Sequence, residues 1–163
     1  MDYMFTYEMQ YYLEFQNDQG VYDKPVRITE DKEFAPSRDK SSYDANYLCN
    51  RTGRTVVTAT KDSFTFTIDA VGPGGVQKRL AAIEDTSNVP ARLIRTQAYD
   101  FENEKKCDPS ALVAKRVPVM VNMDPMDGAF GELCTFSGEI VQDADAWERG
   151  TYDPTTGTFT PKG

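Results

Sequence analysis

The stretch Ser63-Phe64-Thr65-Phe66-Thr67-Ile68-Asp69 constrains the fold of this chain more than any other. Large apolar residues alternate strictly with small polar ones. Phe64, Phe66 and Ile68 therefore share one face of an extended segment, and the threonines share the other. A helix would scatter these side chains around its surface, whereas a strand with one face on a core satisfies all of them. The same period recurs at Val117, Val119, Val121 and Met123, and again at Cys134, Phe136, Gly138 and Ile140. Phe5 to Phe15 is rich in Tyr, Phe and Thr, which fit a pleated, half-buried surface. The chain reads as mainly β.

Turn chemistry divides these strands. Asn17-Asp18-Gln19-Gly20 supplies a turn after the first strand, and Val21 to Ile28 returns as a second. Val56 to Thr60 and the Phe64 strand read as a hairpin turning at Thr60-Lys61-Asp62-Ser63. Gly72-Pro73-Gly74-Gly75 then breaks the pattern and opens the one good helix, Val76 to Asp85, whose Val76, Leu80 and Ile83 form a single apolar stripe. A helix this short needs a sheet beneath it to persist. Val89 to Phe101 returns to strand, and Asp124-Pro125-Met126-Asp127-Gly128 turns between two late strands. Pro118 suggests an edge or first-residue position for its strand.

Two polar excursions interrupt this plan. Thr29 to Asn46 is charged, contains Pro36 and has few apolar anchors, so it reads as a long connection. Glu102 to Ala114 reads as a second. The tail from Gly150 to Gly163 holds Asp153-Pro154-Thr155-Thr156-Gly157 between Thr/Tyr/Phe pieces and is expected to be a small hairpin or an extended arm. The expected architecture is α+β: a β-sandwich or split barrel of two packed sheets flanked by a short α-helix, with long loop and terminal arms. No linker divides residues 1–163, which are expected to form a single domain.

Composition excludes several kinds of chemistry. The 163 residues include no histidine, which removes the commonest general base and the commonest metal ligand together. The net charge of -8 opposes binding to phosphate backbones and to anionic membrane. No stretch reaches the roughly 20 apolar residues that span a bilayer, and Met1 to Phe15 carries Asp2, Glu8 and Glu14, unlike a secretory signal. Cys49, Cys107 and Cys134 are odd in number and widely spaced, which fits free thiols rather than a disulfide or zinc framework. The sequon at Asn50-Arg51-Thr52 carries no weight without a secretion signal.

Each remaining candidate has a plainer reading. Gly72 to Gly75 lacks the lysine and Ser/Thr of a phosphate loop and serves as a helix entry. Asp124 with Asp127, and Asp143 with Asp145, fall outside a calcium-loop spacing and read as solvated turn acids. Trp147 and the nine tyrosines read as core or interface aromatics before they read as a sugar platform. Arg92 and Arg95 sit out of phase on their strand and make no nucleic-acid track. The expectation is therefore no catalytic residue, no cofactor and no metal. The polar excursions are costly to order unless a partner supplies surface, which favours an assembly protein over an enzyme.

The segment Phe64 to Asp85 resembles the strand–turn–helix unit of major tail tube proteins from long-tailed bacteriophages. Val117 to Asp124, Phe136 to Ile140 and Gly150 to Pro161 are similar to that family's late strands and ending, so the likeness spans roughly Ala45 to Gly163. The resemblance implies a virion structural protein whose copies form six-membered rings stacked into a hollow tube that conducts DNA during ejection. It implies a long loop, here residues 29–46, and a terminal arm crossing between subunits. It implies self-association, partners among tape measure, tail terminator and tail-tip proteins, and synthesis in a host bacterial cytoplasm. It offers no catalytic residues to carry over. A capsid decoration protein and a carbohydrate-binding β-sandwich are the competing expectations.

Overall fold

The computed structural model describes residues 3–45, 47–49 and 51–163. Asn46, at the end of the first polar excursion, and Asn50 of the sequon lie outside the described residues. After a 3-10 turn at Thr6–Glu8, the strands are β1 (Met9–Phe15), β2 (Val26–Arg27), β3 (Asp31–Ala45) and β4 (Arg54–Asp69). The helix α1 (Gly75–Ala82) follows, then β5 (Val89–Gln97), β6 (Tyr99–Asp100), β7 (Lys105–Lys106) and β8 (Leu112–Met123). The chain ends with β9 (Thr135–Gln142), β10 (Glu148–Asp153) and β11 (Thr158–Pro161). Among the described residues the fold is mainly β with a single α-helix, as expected.

Among the described residues, nine strands form one antiparallel sheet in the order β2-β1-β5-β8-β9-β4-β3, with β10 on β8 and β11 on β10, while β6 and β7 make a separate two-stranded ladder. The two layers expected from sequence are thus parts of one curled sheet. Tyr11 of β1 and Phe34 of β3 belong to strands near its opposite ends, yet their ring centroids are 4.2 Å apart. The sheet has rolled far enough to bring its ends together around a core. That core takes Leu13 and Phe15, Phe64, Phe66 and Ile68, Leu93, and Val117, Val119 and Val121 from one face of four strands. Val76 and Leu80 of α1 add to it and are almost fully buried, so the helix is held by the barrel.

The strand β8 explains how the barrel splits. Its residues 119–123 pair with β9 and its residues 112–116 pair with β10, both along the same edge. Between them lies Pro118, whose carbonyl accepts from the Asp143 amide on that edge at 2.9 Å. Backbone N and O of one residue point the same way in an antiparallel strand. The proline therefore presents its missing donor to the gap where the bulge of residues 143–147 separates β9 from β10. This corrects the reading of Pro118 as an edge marker: β8 is central, and the proline sits where no ladder bond is required. Beyond the gap β10 and β11 form the C-terminal hairpin, the first of the two expected forms of the tail. Its Tyr152 and Phe159 close a second small core with Tyr12, Ile94 and Ala114 on the outer sheet face.

Residues 29–46 are not a loop, because Asp31–Ala45 is a 15-residue strand. Residues 60–63 are not a turn, because β4 runs through them for 16 residues with Lys61 opposite Asp39 and Asp62 opposite Arg38. The hairpin partner of the Phe64 strand is therefore β3 and not Val56 to Thr60. The expected strand from Val21 shrinks to two residues, and β8 begins at Leu112 inside the second expected connection. Pro36 is tolerated because β3 is the last strand of the sheet and needs donors on one side only.

Candidate functional site

From Ser63 to Asp69 the strand β4 is flanked by β9 on one side and β3 on the other. Before Ser63 its only strand partner among the described residues is β3, so the part of the hairpin from Arg38 to Asp62 leaves the barrel as a two-stranded arm. Nine residues of β4, Arg54 to Asp62, lie in that arm, which at ~3.3 Å per residue projects about 30 Å. Residues 51–61 are all exposed. Tyr43, Tyr47, Leu48, Val56 and Val57 present large apolar side chains to solvent on or beside the arm, Leu48 completely. An isolated two-stranded hairpin is marginal in water, and its bare edges and apolar side chains invite pairing with another chain.

The base of the arm is fixed by a polar cluster. Arg38 donates from Nε and Nη2 to the two carboxylate oxygens of Asp62, at 2.6 and 3.0 Å. The Trp147 indole, supplied by the bulge between β9 and β10, donates to Asp62 Oδ2 at 2.8 Å. The Asp62 amide donates to Gln142 Oε1 at 3.0 Å. The hydrogen bonds from Arg38 hold the Asp62 carboxyl below the usual carboxylate range, and the indole adds to the effect. The strand that forms the arm is thereby anchored to β9 and the bulge at the point where it leaves the sheet.

Two further cations face this cluster. Lys115 of β8 lies over the Trp147 ring with Nζ 4.1 Å from its centroid. Burial, then the charge of Arg95, lowers its pKa from 10.5 to about 8, with Asp62 opposing. Arg95 of β5 donates to Gln97 Oε1 at 3.3 Å, while its Nε is buried with no hydrogen-bond partner among the described residues. Together these groups line a cavity of about 410 Å³ whose apolar wall includes Tyr11, Phe64 and Trp147.

The other end of the barrel carries a different surface. The connection from β8 to β9, residues 124–134, is exposed throughout. It contains Asp124, Asp127 and Glu132 and no basic residue. A backbone bond from Glu132 N to Ala129 O at 3.0 Å closes a turn at its tip. Gly131 occupies the left-handed region there at φ 82 and Phe130 stands fully exposed beside it. Met126 and Leu133 are exposed as well.

Asp124 and Asp127 lie in this acidic loop, where Asp127 bridges to Thr135. Asp143 and Asp145 lie in the bulge beside Pro118. Gly72 to Gly75 lead into α1, and Arg92 and Arg95 point to opposite faces: Arg92 pairs with buried Glu14 at 2.6 Å, and Arg95 turns to the cavity. Burial pushes the Glu14 carboxyl up, with Arg92 and Arg116 opposing. Among the described residues no group of three or more potential metal ligands is gathered, and no helix is long and apolar enough to cross a membrane. Sequence reasoning expected residues 29–46 to cross between subunits as a loop; it missed their pairing with β4 as a two-stranded arm and the Lys115–Arg95–Trp147 cavity. The cavity's residues are far apart in the chain and share no local pattern.

No family model and no curated relative matches the sequence. The fold does have solved counterparts. The tail of an empty gene transfer agent particle, refined with C6 symmetry, aligns with a TM-score of 0.59 at 11% identity, covering 90% of this chain and 98% of that one. The SPP1 tail tube aligns with a TM-score of 0.65 at 10% identity, covering 94% of this chain and 83% of that one. A chain of the anti-feeding prophage baseplate aligns with a TM-score of 0.50 at 9% identity, over 88% of this chain and 94% of that one. The fold is that of tail tube proteins.

Proposed function

We propose that this chain is the repeating structural subunit of a tail tube, with copies joined into six-membered rings that stack into a hollow conduit for DNA. One observation carries the reading: a curled sheet of the tail-tube fold extends a two-stranded arm with exposed apolar residues and bare edges. An arm of that kind gains stability by lying on a neighbouring copy. A contact between unlike surfaces closes into a ring when its rotation closes, and a second repeated contact along the axis stacks the rings.

The partners of such a tube are a tape measure protein within it and terminator and tip proteins at its ends. The net charge of -8 suits a conduit, since phosphates passing an acidic wall keep their counterions and meet no deep wells. Assembly takes place in the host cytoplasm and the product resides in the virion tail.

Negative-stain microscopy of the purified chain, alone at high concentration and with tape measure and tip proteins, tests the reading. Rings or tubes are expected. A monomer under every one of these conditions would refute it.

A further inference from the structure

The cavity at the base of the arm is short of negative charge. Arg38, Lys40, Arg95 and Lys115 line it, against Asp62 as the lone acid among the described residues of its lining. Both oxygens of Asp62 are already engaged by Arg38, and one of them also accepts from Trp147. Asp62 therefore has little left for Arg95 and Lys115. The Arg95 Nε remains buried and has no hydrogen-bond partner among the described residues, a condition that costs free energy until an acceptor arrives. A cationic hollow with an aromatic wall, in a chain whose net charge is -8, calls for a ligand that brings a carboxylate and an apolar group together.

The chain itself carries such a ligand at its opposite end. The tip of the β8–β9 connection sets the fully exposed Phe130 two residues from Glu132 on a turn closed by a backbone hydrogen bond. Lys115 stands near the start of β8 and this tip follows its end at Met123. The eight residues between them correspond to ~26 Å of strand. A molecule cannot fill its own cavity with its own tip. A second copy, placed head to tail, can.

We propose that the cavity receives the β8–β9 tip of a second copy of this chain, with Phe130 against the aromatic wall and Glu132 on Lys115 and Arg95. The inference rests on the tube reading and adds a specific axial contact to it, beside the arm. Because cavity and tip occupy opposite ends, the contact is heterologous and can repeat from one copy to the next.

Charge reversal on the full chain tests it. Lys115→Glu and Glu132→Lys are each expected to raise the concentration needed for polymer at least about tenfold, and the double variant to restore it. Lys115→Met keeps the stem over Trp147 and drops the charge, so it is expected to weaken assembly while preserving the fold. Trp147 is the only tryptophan in the chain, and its emission reports folding and cavity occupancy directly. A peptide of residues 124–133 is expected to shift that emission saturably on the monomer, and a Glu132→Gln peptide to fail. Polymer from both single reversals at wild-type concentration overturns this contact and leaves the tube reading intact. A chain that never polymerises defeats the tube reading, and the peptide titration then decides the contact alone. Emission that responds to a short duplex oligonucleotide and not to the peptide overturns the proposal in favour of a phosphate site.

Discussion

At the scale of single residues, the sheet depends on a few close approaches. A Cβ on Gly138 would collide with the carbonyl oxygen of Asn122 on the neighbouring strand β8. Gly138→Ala is therefore expected to cost about 1–3 kcal/mol, measured as a drop in the urea midpoint, because the obstacle is backbone and cannot swing away. Leu80 is fully buried under the barrel, and Leu80→Ala is expected to cost about 2–5 kcal/mol by the same measurement. Lys115 makes a pH-dependent prediction. Its folded pKa is lowered from 10.5 to about 8 by burial and by Arg95, so the folded chain releases this proton before the unfolded chain does. Between those two values the unfolded state binds more protons, and the Lys115 contribution to stability rises with pH. Lys115→Met is expected to remove that part of the slope and to be relatively more stable below pH 8. Denaturation midpoints on both sides of pH 8 check it.

At the scale of elements, what the sequence revealed follows from which faces are buried. Phe64, Phe66 and Ile68 alternate because one face of β4 meets the core, and they were legible for that reason. Earlier in the same strand, Arg54 to Lys61 is exposed throughout, so burial imposes no period and the strand looked like the end of one element and a turn. The strand β3 hid in the same way, with Pro36 and its charges reading as a connection because nothing covers most of it. The helix was legible through Val76 and Leu80, which touch the core. Pro118 was visible as a constraint, but the split between β9 and β10 that accommodates it depends on pairing that sequence does not display. Replacing residues 39–61 with a short turn is expected to preserve the thermal unfolding of the barrel and to abolish polymer. Amide exchange across the same residues is expected to be fast in the monomer and slowed in the polymer. Equal protection in both states would mean that the arm finds no partner.

At the scale of the whole molecule, the two ends differ in kind: one carries the arm and a cationic cavity, the other an acidic loop with an exposed phenylalanine. Such a polarity favours open stacking over a closed pair. The chain's acidic surplus, 26 acids against 18 bases, is expected to leave the lumen of the assembly net negative. Lysines in place of lumen acids are then expected to slow DNA passage at low salt, and ejection rates against ionic strength would record it. The most direct test of the central claim is a helical cryo-electron microscopy reconstruction of the polymer. Sixfold rings are expected, with the arm from Arg38 to Asp62 lying on a neighbouring copy and its apolar residues covered. Closed oligomers in which that arm stays in solvent would contradict it.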